Sequence, residues 1–146
     1  MNNKHDTPTI VSYIILLSGF VFMVYLFIML TYPFKVTDYY TNRLPVISKT
    51  VKQGEAIGIV FRYKKYVDLP ARVTRMLKND AVVLLPDMMA VRNRGDYSFI
   101  SYTTKIPTHT PPGKYTLVFG FHYQISPIRT IIKTKETEEF IVVKKD

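Results

Sequence analysis

From Thr7 to Phe34 the chain runs for 28 residues without one charged side chain. Runs of this kind longer than about 18 residues fit a membrane-crossing helix better than any element of a small soluble core. Thr7-Pro8 reads as its start, with Thr7 as N-cap and Pro8 at the first helical position. Pro33 ends it. Pro8 to Tyr32 is 25 residues, roughly 37 Å of helix, which exceeds a hydrocarbon core of about 30 Å and can span it with some tilt. Tyr13 and Tyr32 stand about 28 Å apart along such a helix, one near each interface. A cleaved signal peptide would have a shorter apolar core and a small-x-small cleavage site. Here the run closes on the bulky Met29-Leu30-Thr31-Tyr32-Pro33, so the expectation is a retained anchor.

The rest of the chain is of a different kind. Of 20 Lys/Arg and 11 Asp/Glu, only Lys4 and Asp6 precede residue 35, so the whole net charge of +9 belongs to residues 35–146. About 110 residues are enough for one domain with its own core. The expected layout is a tail at 1–7, a transmembrane helix at 8–32, a juxtamembrane linker at 33–43 and a β domain at 44–146. The absence of cysteine excludes disulfides, thiolate chemistry and cysteine zinc sites, so packing alone must stabilise the domain. Lys35, Arg43 and Lys49 flank the helix on its C-terminal side, against Lys4 on the other. Counted literally, that favours a cytoplasmic domain, but long C-terminal domains cross largely regardless of charge. The expectation is a single-pass protein of the cytoplasmic membrane with its domain on the periplasmic or extracytoplasmic side.

Past the anchor the pattern changes to alternation. Tyr115, Leu117, Phe119, Phe121 and Tyr123 interleave with Thr116, Val118, Gly120 and His122, a strong signal for a half-buried strand. Ile57, Ile59, Phe61 and Tyr63 repeat the pattern. Weaker runs cover 46–51, 72–77, 82–85, 97–104, 130–134 and 139–143. Gly, Pro, Asn and Asp turns separate them, among them Lys52-Gln53-Gly54 and Asn93-Arg94-Gly95-Asp96. Within Ala71 to Met89 a short helical turn is an open alternative. Seven or eight short strands at this spacing predict a mainly β fold, an antiparallel β-sandwich behind one N-terminal helix.

Pro111-Pro112-Gly113-Lys114-Tyr115-Thr116-Leu117 resembles the Pro-Gly-x-Tyr approach to the penultimate strand of immunoglobulin-like and fibronectin-like sandwiches. That resemblance implies a tyrosine corner at Tyr115, set by Gly113, and a final strand at 137–143. Tyr123 to Ile131, continuing to Glu136-Thr137-Glu138-Glu139-Phe140, is similar to small membrane-anchored proteins of tailed bacteriophages and their hosts. Those join one N-terminal helix to an immunoglobulin-like domain, and the likeness covers most of residues 44–143. It implies a phage or prophage envelope protein acting by binding or scaffolding. The antibody-type Cys…Trp…Cys set is absent, since the chain has neither residue.

No reaction chemistry is legible. His5, His109 and His122 are scattered, no four ligands converge by spacing, and no nucleophile elbow or phosphate-binding glycine loop occurs. No enzymatic activity, metal or cofactor is expected. Arg94-Gly95-Asp96 reads as a tight turn with Gly95 at positive φ rather than as an adhesion motif. Arg62, Lys64 and Lys65 beside Tyr63 and Tyr66, followed by Arg72, Arg75 and Lys78 and by Arg92 and Arg94 at a loop, form the candidate interaction surface. Its expected partners are an acidic protein of the envelope or virion, or anionic lipid, with nucleic acid a weaker alternative. A structural virion subunit, with self-association, is the competing class. Arg129 is expected to pair with Glu136 or Glu138 and hold the last hairpin.

Overall fold

The computed structural model describes residues 6–145. It divides into two units, Met1–Phe34 and Lys35–Asp146. The first holds one helix, α1 (Asp6–Thr31), of about 39 Å, which is membrane-spanning length. From Thr9 to Thr31 its side chains are predominantly apolar and nearly all exposed. Two of the hydroxyls that interrupt them bond within the helix: Ser18 Oγ donates to the Ile15 carbonyl at 2.8 Å and Thr31 Oγ1 to the Phe27 carbonyl at 2.6 Å. The helix begins at Asp6, slightly ahead of the start expected at Thr7-Pro8. The expected tail, with Lys4 and His5, falls mostly outside the described residues.

The second unit is built of strands. In chain order these are β1 (Thr37–Tyr39), β2 (Arg43–Leu44), β3 (Thr50–Lys52), β4 (Ala56–Lys65), β5 (Ala71–Lys78), β6 (Val82–Ala90), β7 (Gly95–Lys105), β8 (Gly113–Ser126), β9 (Arg129–Thr137) and β10 (Phe140–Val143). A three-stranded sheet has the order β1-β4-β7. In a seven-stranded sheet β8 is central, pairing β5 on one side and β9 and β10 on the other, while β6 pairs β5. β2 and β3 run parallel to β9 and β10. The two sheets curl into a half-barrel.

The core follows from the alternation in β8. Tyr115, Leu117, Phe119, Phe121 and Tyr123 are all buried and meet Ile57, Ile59 and Phe61 of β4 and Val73 and Leu77 of β5 in one cluster. Aromatic rings join the sheets edge to face: Phe61 lies 5.3 Å from Phe119, and Tyr102 of β7 lies 6.2 Å from Phe119, a spacing that adds about 1 kcal/mol per pair beyond area burial.

Several expectations are corrected here. The linker at 33–43 contains β1, whose Thr37 is buried and paired to Lys65. Its alternation is too short to register as a strand. Residues 71–89 hold no helical turn but most of the β5–β6 hairpin, because β5 is held from both sides by β6 and β8. The strand expected at 46–51 is an isolated bridge at Val46 and the short β3, which begins only at Thr50. The final strand is only Phe140–Val143, and the expected seven or eight strands are ten. Gly95 begins β7 with ordinary φ; the left-handed positions are Gly54 (φ 80°) and, in mid-strand, Phe99 (φ 61°). At Gly54 the turn needs glycine twice over, since a Cβ would come within 2.9 Å of Thr108.

Candidate functional site

The half-barrel is open between β6 and β7. Each pairs on one side only, β6 with β5 and β7 with β4, although a loop of just four residues, 91–94, joins them. Between them a cavity of about 250 Å³ runs into the core. Its floor is the rings of Phe61, Tyr63, Phe119, Phe121 and Tyr123, and its lip is Met88, Met89, Val91 and Ile100.

Two basic side chains hold the ends of the opening. Arg75 of β5 reaches across to the other sheet, donating through Nη1 to Tyr102 Oη at 2.6 Å and Thr104 Oγ1 at 2.9 Å. Its Nε donates to the Pro86 carbonyl on β6 at 3.0 Å. Pro86 falls where the β5–β6 register shifts, between Val73 and Arg75, so one guanidinium caps the bulge and ties β5, β6 and β7 together. At the other end lies Lys65, only 4% exposed. Its Nζ donates to the Leu69 carbonyl at 2.6 Å and to the Arg92 carbonyl, pinning the β4–β5 and β6–β7 loops. Burial lowers its pKa, with Asp68 pulling weakly the other way. Asp68 itself is engaged by Arg94, through its backbone N–H at 2.5 Å and Nε at 3.8 Å.

The sequence-based candidates thus separate. Lys65 is buried beside the cavity rather than on a basic face; the charge sits inward because its alternation partners Tyr63 and Phe61 do. Arg92 lines the cavity and stacks over Tyr97 at 5.4 Å. Arg94 lies nearby in the same loop, paired to Asp68. Arg62 and Lys64 lie on the outer face of the small sheet, where Arg62 covers Phe99 at 5.1 Å and Lys64 covers Tyr66 at 5.6 Å. Tyr115 Oη donates to the Pro111 carbonyl at 2.9 Å, the bond of a tyrosine corner. It sits with Gly113 at the start of β8, apart from the cavity. Arg129 does not pair with Glu136: both are on β9, seven residues or about 23 Å apart, and Glu136 instead faces Lys78 at 3.7 Å. Arg75 was grouped with the other basic residues of the surface, because nothing in Arg-Val-Thr-Arg-Met says which arginine the bulge turns across the barrel.

Buried tyrosines give the site a pH signature. Burial raises the pKa of Tyr39, Tyr63 and Tyr123 above the ordinary value. The folded chain then keeps protons that the unfolded chain releases above about pH 10, so stability holds below that pH and falls above it. A tyrosinate absorbance titration should show these residues ionising together with unfolding, after the exposed tyrosines. Their early ionisation in the folded state would contradict the burial.

Neither a protein-family model nor a curated protein sequence matches the chain. Among solved structures it is similar to the sporulation control protein Spo0M of Bacillus subtilis, at 14% identity and a TM-score of 0.46, over 73% of this chain and 48% of that one. It is also similar to the Pseudomonas fluorescens alkylpurine DNA glycosylase AlkC, at 16% identity and a TM-score of 0.40, over 73% and 30%. The chain therefore spans about half the length of Spo0M and less of AlkC.

Proposed function

We propose that this chain is a membrane-anchored, non-enzymatic binding module whose immunoglobulin-like domain takes its ligand at the open side of the half-barrel. The observation that carries this reading is the pair of unpaired edges, β6 and β7, standing over an aromatic cavity. Concave, mostly apolar sites with a few placed polar groups are where proteins hold ligands.

Other features support the remaining parts. An exposed apolar helix with two of its hydroxyls bonded internally suits hydrocarbon, where every polar group must find a partner. The order β1-β4-β7 facing β9-β8-β5-β6 follows the A-B-E and G-F-C-C′ pairing of immunoglobulin-like sandwiches, and the Tyr115–Pro111 bond fits the same reading. By the resemblance of its sequence, the module is a phage or prophage envelope protein with the domain on the outer side of the cytoplasmic membrane. Its partners are an envelope or virion protein and the adjoining anionic lipid.

The absence of native cysteine makes sidedness directly testable. Asn93 lies exposed in the β6–β7 loop, and only its backbone carbonyl is used, by Tyr97 Oη at 2.9 Å. In Asn93→Cys, a membrane-impermeant maleimide should label intact cells, with the outer membrane permeabilised if one is present. Labelling only after lysis would place the domain in the cytoplasm and end the envelope reading.

A further inference from the structure

We infer that the cleft between β6 and β7 is a site for a single acyl chain carrying an anionic head, with the chain among the core rings and the head between Lys65 and Arg92. The inference rests on the reading of this cleft as the ligand site and adds the chemistry of what enters it.

Charge comes first. Two cationic residues line the cavity and, among the described residues, no carboxylate does. Lys65 is the more informative of them. Its ammonium has three protons to donate, and its two hydrogen bonds go to the neutral carbonyls of Leu69 and Arg92. Asp68, the carboxylate that acts on Lys65, is engaged by Arg94; burying a cation so weakly compensated is costly, and an anion arriving beside Lys65 offsets that cost. Arg92 is exposed and lines the same cavity, so a head group there meets both charges.

Shape narrows the body of the ligand. Lys65, Tyr63 and Phe61 line the cavity from alternate positions of β4, so it extends about 13 Å along the strand at roughly 3.3 Å per residue. The cationic lining is confined to Lys65 and Arg92 at one end; the rings of Phe61 and Phe119 lie towards the other, where Arg75 stands outside the lining with its Nη1 taken up by Tyr102 and Thr104. Met88 and Met89 at the lip are unbranched and adaptable, suited to closing over a flexible chain.

A peptide strand fits less well, although both edges are unpaired. Pro86 has no N–H to offer on β6, and its carbonyl is already taken by Arg75. On β7 the left-handed Phe99 sits at a register shift opposite Phe61 to Tyr63, breaking the edge midway. Bulges and prolines of this kind blunt edges against strand addition.

The methionines supply the test. In full-length chain in phosphatidylcholine nanodiscs with isotope-labelled methionine methyls, Met88 and Met89 report on the cleft. Met76, outside the cavity lining, is a control, and Met23 and Met29 in α1 report partitioning into the bilayer. Decanoate should shift Met88 and Met89 saturably while Met76 stays fixed. Decanol should bind about tenfold more weakly, and Arg92→Gln should weaken decanoate about fivefold, as expected for losing one partly exposed charge contact. Ala90→Phe, which fills the mouth, should abolish the response to both. The same shifts on adding phosphatidylglycerol to the discs, without decanoate, would assign the chain to a bilayer lipid rather than a free fatty acid. An equal response to decanol and decanoate would overturn the anionic head while leaving an apolar ligand site. Silence of Met88 and Met89 toward both would overturn the acyl chain and leave the cleft as a site for a ligand of another class.

Discussion

Phe119→Ala is expected to destabilise the β domain by about 3–5 kcal/mol, the range for deleting a buried aromatic ring. For a domain of this size that corresponds to a fall of roughly 15–25 °C in melting temperature. Phe119 is 1% exposed at the middle of β8, between Arg75 on β5 and Lys135 on β9. Its ring is within 6.2 Å of Phe61, Phe121 and Tyr102, so one truncation loosens contacts from both sheets. No disulfide exists to limit the damage, and total stabilities of domains are only about 5–15 kcal/mol. Thermal unfolding followed by circular dichroism measures the change, with Ile132→Ala, at an exposed site of β9, as a control expected within about 0.5 kcal/mol. A loss below about 1.5 kcal/mol at Phe119 would mean that the two sheets are not joined through this ring.

Arg75→Ala should cost about 3 kcal/mol, the second largest effect. Hydrogen bonds involving a charged group contribute about 1.5–3 kcal/mol each in favourable cases, and their loss leaves partners unsatisfied. Here Thr104 Oγ1, on a residue 4% exposed, and Tyr102 Oη would both lose the guanidinium, as would the Pro86 carbonyl in its bulge. Arg75→Met keeps much of the apolar stem and removes the donors, so comparison with alanine separates packing from hydrogen bonding. Hydrogen exchange should locate the effect: amides of β6 and β7 lose protection well before those of β8. Uniform loss across all strands would show that Arg75 is not a local clasp of the open side but part of the global core.

The sequence was most informative where one period dominates. Twenty-eight uncharged residues left α1 few other structures to adopt, and the five alternating apolar residues of β8 had to face one way because a strand has two faces. The bond from Tyr115 to the Pro111 carbonyl, implied by the likeness of Pro111–Leu117 to immunoglobulin-like sandwiches, is also present, and it spans only four residues of chain. Arg129 shows the opposite case. A plausible pairing with Glu136 failed because both residues lie along one extended strand, where chain separation becomes distance. β1 was hidden because three residues carry no period; what makes it a strand is the partner it finds on β4.

The candidate site was hidden for the same reason. Lys65 reads as one more surface cation beside Lys64, yet β4 turns the first inward and the second out. Arg75 gains its role from a bulge opposite Pro86, and the cavity exists because β6 and β7, adjacent in sequence, belong to different sheets. The amino-acid sequence by itself determined the membrane-length helix, the mainly β character and the packed face of β8, because these depend on local period and composition. Only the tertiary structure decided where the barrel stays open and which cations line the opening, because both depend on pairings between residues far apart in the chain.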